Sequence, residues 1–130
     1  MSWKLSQRSE RALQDVHPDL QRVVRLALTL SPIDFAVIEG RRSLERQRAL
    51  IDSGASRTLN SRHLTGHAVD LAPWVNRTIP WDNWSSFATL AKVMKQAAHQ
   101  YNVPLVWGGD WKTFKDGPHF ELPREIYPAD

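Results

Sequence analysis

A chain of 130 residues without one cysteine must hold its fold by burial, because no disulfide or thiolate-bound metal can staple it. A chain of this length hides roughly two-thirds of its unfolded surface. It also fits one compact domain, which typically runs to about 100–150 residues. With 42% hydrophobic and 24% charged residues, it has the composition of an ordinary globular protein. Any metal site must be built from His, Asp and Glu. No apolar run approaches the roughly 18 residues of a membrane span, so stable membrane insertion is not expected. Residues 1–10 lack the apolar core of a secretory signal. Seventeen basic against fourteen acidic residues leave a net charge of +3 and a pI near 9.6. That balance keeps a protein soluble and favours anionic partners, an acidic wall polymer among them. The Lys and Arg residues are scattered without a nucleic-acid-binding motif, and no nucleic acid is expected as partner.

Hydrophobic periodicity organises the chain as one unit, without repeats or linkers. Ser6–Val16 and a stretch opened by Pro18, with Leu20, Val23, Val24, Ala27 and Leu28 on one face, read as two helices. Phe35–Glu39 reads as a short buried strand, and Ser43 caps a third helix through about Asp52 with Gly54 at its end. Ala55–Gly66 is polar and aperiodic, a loop long enough to suggest function. Ala68–Ala72 alternates as a strand. Ser85 or Ser86 begins the clearest helix, Phe87–Tyr101, with Leu90, Val93, Met94, Ala97 and Ala98 inward. Leu105–Trp107 and His119–Leu122 complete the strands. The order predicts an α+β domain with a short, mostly antiparallel sheet flanked by helices.

Two segments carry the chemistry, Ser61–Asp70 and Asp116–Glu121. His63 closes the polar loop, Asp70 follows seven residues later inside a strand, and Gly66 lets the backbone turn so that both converge. His119 supplies a third group if the two strands are neighbours. Two imidazoles and one carboxylate leave a fourth position open, the arrangement of a catalytic zinc site. Other divalent ions also suit such donors. Asp116 precedes His119 by three residues on a turn stiffened by Pro118. There it is placed to take a proton from water activated by zinc, whose pKa falls to about 7, and to pass it to a leaving amine. This is amide hydrolysis. His67 has the opposite parity to Asp70 and is expected to point away. Glu121 either supports a ligand histidine or faces solvent. Of the tryptophans, Trp107, in the run Trp107–Trp111, is the favoured cleft wall.

Ser61-x-His63-x-x-Gly66-x-Ala68-x-Asp70 followed by Asp116-x-x-His119 resembles the metal-binding signature of the LAS peptidases, which include D-Ala-D-Ala carboxypeptidases and dipeptidases. The Asp-x-x-His ending and the short chain are most similar to the phage L-alanyl-D-glutamate endopeptidases. The resemblance covers roughly Phe35 to Leu122. It implies zinc ligands at His63, Asp70 and His119, and Asp116 as general base. Gly40-x-Arg42-Ser43-x-x-x-Gln47 resembles the family's Gly-x-Arg-Ser-x-x-x-Gln segment, implying that Arg42 holds the substrate or its polarised carbonyl. Its planar fork suits the free carboxylates of a peptide stem. Ser61 is a further candidate for substrate binding.

These readings give a single zinc peptidase catalytic domain over residues 1–130, expected as a monomer. It would cut the L-Ala-D-Glu bond of the peptidoglycan stem in the manner of a phage endolysin. Without a signal it would wait in the host cytoplasm and reach the wall once the membrane is permeabilised. A D-Ala-D-Ala carboxypeptidase, or a zinc-binding wall module without catalysis, are the competing readings.

Overall fold

Each helix starts where a side chain can satisfy its first free amides. In the computed structural model, which describes residues 3–56 and 60–128, Ser6 caps α1 (Gln7–Leu13) by accepting from the Ser9 amide. His17 caps α2 (Pro18–Leu30) through Nδ1, with Pro18 at the first helical position. Ser43 caps α3 (Leu44–Asp52), which ends at Ser53 ahead of a left-handed Gly54. The longest helix, α4 (Trp84–Gln100), begins earlier than expected. Its cap is Asn83, whose side chain accepts from the Ser86 amide, so Ser85 and Ser86 lie inside the first turn.

Four strands, β1 (Phe35–Glu39), β2 (Ala68–Pro73), β3 (Val106–Trp107) and β4 (His119–Glu121), form one sheet in the order β1-β2-β4-β3. Every pairing is antiparallel. Val69 and Leu71 of β2 and Phe120 of β4 join Val23, Val24, Ala27, Leu90 and Met94 of α2 and α4 in the core. Strand alternation then turns Asp70, His119 and Glu121 to the opposite face. The register sets Asp70 directly across from His119. Between Val37 and Glu39 the β1–β2 register slips, so that Glu39 and not Ile38 stands opposite Asp70. That irregularity rotates Glu39 out of the core phase of Val37 and onto the Asp70 face. Three strands thus contribute one row of polar side chains, Glu39, Asp70 and His119.

Part of the long polar loop at 57–59 lies outside the described residues. Its later part forms a 3-10 turn, Arg62–Thr65, capped by Ser61 and ended by Gly66 at φ 79°. A side chain at Gly66 would also meet the Asp15 carbonyl, its Cβ falling 2.6 Å from that oxygen.

Candidate metal centre and active site

The turn after Ser61 buries His63, while β2 and β4 deliver Asp70 and His119 to the same point. Asp70 Oδ1 lies 3.1 Å from His63 Nε2 and 3.4 Å from His119 Nδ1. One ligand atom from each residue falls within 4.8 Å of the others. The outer nitrogens are committed elsewhere. His63 Nδ1 is 2.8 Å from the Gly40 carbonyl oxygen, which can only accept, so this nitrogen carries the hydrogen. His119 Nε2 lies 2.7 Å from Glu121 Oε1 and donates likewise. Both imidazoles therefore turn a lone pair towards a carboxylate oxygen. That arrangement demands a positive charge in the middle, either protons or a metal ion. Two neutral imidazole nitrogens and one carboxylate oxygen, each held by an outer hydrogen bond, fit a divalent cation well.

The electrostatics of the metal-free chain agree. Burial works to raise the Asp70 pKa, but hydrogen bonds from His119 and His63, and their charge, hold it well below the ordinary carboxylate range. Burial works to lower His119, yet its bonds to Asp70 and Glu121 push it up to about 9.

Asp116 lines the same cavity, of about 370 Å³. Burial, then the charge of Asp70, raises its pKa against the opposing pull of His119, His63 and Arg42. Its position is built from below. The Asp116 amide donates to the Gly108 carbonyl at 3.0 Å, and the Trp107 indole N–H donates to the Gly117 carbonyl at 2.7 Å. Trp107, expected as cleft wall, is corrected by this geometry. It is 8% exposed, packed between Trp84 and Phe120, and anchors the turn under the site. Trp111 lines the cavity instead, its ring centroid 5.1 Å from that of His119. Ser61 borders the cavity while its Oγ accepts from the His63 amide at 3.2 Å.

Arg42 reaches the site and Arg41 is exposed. The Arg42 fork is not free for a substrate carboxylate, however. Its Nε donates to Glu39 Oε1 at 2.5 Å, NH1 donates to Gln47 Oε1 at 2.7 Å, and NH2 pairs with Glu39. NH2 also lies 3.6 Å from Asp70 Oδ2. Gln47, fully buried, passes the connection on to Ser56 Oγ. His67 faces away, its Nδ1 2.6 Å from Thr65 Oγ1 and its ring 5.4 Å from that of His17. Glu39 escaped the sequence reading, because nothing in the local pattern announces the slipped register that aims it. Glu121 had a readable signal, since strand parity puts residues 119 and 121 on one face.

His63 on its turn and Asp70 and His119 on adjacent antiparallel strands form a cluster that could hold a metal ion, with a second carboxylate, Asp116, in the same cavity, an arrangement that suits a peptidase. The chain belongs to the phage L-alanyl-D-glutamate peptidase family, whose profile matches residues 1–126. It is 37% identical over 130 residues to the L-alanyl-D-glutamate peptidase of Escherichia phage T5, covering 98% of this chain and 94% of that protein. Its structure is similar to that of the L-Ala D-Glu endopeptidase ChiX of Serratia marcescens, with a TM-score of 0.90 and 48% identity over 97% of this chain and 95% of the other. The vancomycin-resistance D,D-dipeptidase VanXYg shares the fold at a TM-score of 0.56 and 20% identity, over 82% of this chain and 50% of its own.

Proposed function

We propose that the chain is a zinc-dependent endopeptidase that hydrolyses the L-Ala-D-Glu amide bond of the peptidoglycan stem, a single catalytic domain working as a phage endolysin does. The observation that carries this reading is the pair of tethered imidazoles flanking Asp70 Oδ1, in a chain of this family. His63 Nε2, Asp70 Oδ1 and His119 Nδ1 would hold the ion. When bound, zinc supplies Lewis acidity, polarising the scissile carbonyl and acidifying water. The chain's own residues do the rest. Asp116, its proton affinity raised by burial, accepts the proton of the attacking water and returns it to the leaving amine. Gly40 and Glu121 keep the two imidazoles in the required tautomer. Arg42 holds the outer oxygen side of Asp70, and Ser61 and Trp111 border the path of the stem. Every group comes from one chain, so a monomer suffices.

No helix among the described residues is long and apolar enough to cross a membrane. Such an enzyme would accumulate in the host cytoplasm and meet the wall after the membrane is breached. Digestion of purified peptidoglycan with mass analysis of the products tests the reading. L-Ala left on the glycan, with peptides beginning at D-Glu, is the expected result. Release of D-Ala alone would overturn it in favour of a carboxypeptidase.

A further inference from the structure

Glutamate brings two carboxyl groups to the stem. One continues the chain, and the other remains an anion close to the nitrogen that leaves when the alanyl-glutamate bond is cut. Something in the cavity must meet that anion or leave it without a partner when it loses water. Among the described residues, four arginines line the cavity, and their engagements differ. Arg42 is neutralised by Glu39 and filled by Gln47. Arg46 lies 3.6 Å from Glu39 Oε2. Arg62 is buried and gives Nε and NH2 to the carbonyls of Leu122 and Tyr127, leaving only a buried NH1 unpartnered. Arg124 alone is both exposed and, among the described residues, without a carboxylate within ion-pair distance.

Its orientation is nonetheless set. NH1 donates to Asn60 Oδ1 at 3.3 Å and NH2 to the Asn60 carbonyl, neutral partners that fix the fork without spending its charge. Arg62 is close enough for the two guanidinium charges to repel, offset by Glu121 and Glu125. Glu121 is already engaged by His119. The cavity therefore holds both an oriented positive charge and the reacting centre of His63, Asp70 and His119.

We propose that Arg124 reads the free glutamate carboxylate on the leaving-group side of the scissile bond, making it a specificity-determining residue for the reaction. The inference rests on the endopeptidase reading above. A pair of synthetic stem peptides separates the two, one with that carboxyl group free and one with it converted to the carboxamide. Steady-state kinetics of the wild type should favour the free acid by about 10- to 100-fold, mainly through KM, the usual worth of a charged hydrogen-bonded pair. Arg124→Gln should collapse that preference. Arg124→Lys should restore part of it, since it keeps the charge but not the fork. Thermal melts check that both variants fold. A preference that survives Arg124→Gln overturns the inference, as does one that vanishes in Arg46→Gln instead. A wild type that cuts both peptides equally overturns it while leaving the endopeptidase reading intact. A wild type that cuts neither overturns both.

Discussion

Asp70 and Asp116 are the same side chain in one cavity, and their surroundings drive them in opposite directions. Asp70 is held ionised between two imidazoles, as a metal ligand needs. Asp116 is made more basic, as a proton carrier needs. Asp116→Asn should therefore keep its zinc, read by elemental analysis, and lose about 10²- to 10⁴-fold in turnover. Asp70→Ala should lose metal and activity together. Should the metal instead follow Asp116, the two roles are reversed. Glu121→Ala should weaken zinc binding by about 10- to 100-fold in a competitive chelator titration, because it releases the outer nitrogen of His119. These positions were legible to different depths. The two histidines and Asp70 stand at a spacing that allows a turn and two strands to converge, and the structure brings the three together. Trp107 was misread because the run Trp107–Trp111 stands just upstream of Asp116, and nearness in sequence does not tell a wall from a floor. Gly108 lets two backbone segments touch, the Cβ of a side chain there falling 2.4 Å from the Asp116 carbonyl oxygen, and at Gly109 a Cβ would fall 2.3 Å from the Trp107 ring itself.

Helices and strands were legible wherever one face is apolar, since burial enforces a period that the sequence must display. Their junctions were less so. Asn83, two or three residues ahead of the expected start at Ser85 or Ser86, caps α4 because its side chain reaches the Ser86 amide. The slip between Val37 and Glu39 has no residue type to mark it, yet it decides which side chain locks Arg42. At this scale the segment under Asp116 is the sensitive one. Trp107→Phe preserves most of the ring packing but removes the N–H that holds Gly117. A loss of about 1–3 kcal/mol in urea unfolding is expected. Turnover should fall while zinc content stays at the wild-type level. An undiminished rate would show that the Asp116 turn is held without this bond.

For the whole molecule, the site couples stability to pH and to metal. In the metal-free chain His119 is raised to about 9, above its unfolded value of roughly 6.5. Its contribution is complete below about 6.5 and is lost as pH rises through 9. Asp70 is depressed, so its contribution is present above roughly 3.9 and is lost as pH falls towards its lowered value. The metal-free chain should be most stable between about pH 4 and 6.5. On the zinc reading proposed above, a bound ion would take the place of the inward proton of His119, so the thermal shift between zinc-loaded and chelator-treated samples should widen from pH 6 to pH 9. Equal shifts at both values would place the proton elsewhere. Gly40 has a consequence of a different kind. Its carbonyl orients His63, and α1 lies so close that a Cβ there would fall 1.8 Å from the Ala12 carbonyl oxygen. The N-terminal helix therefore meets the reacting centre through main-chain atoms, a joint that no compensating side chain can rebuild. A saturation library screened for lysis should return glycine alone at position 40. At Gly54, left-handed but with open space around it, the same library should also admit asparagine.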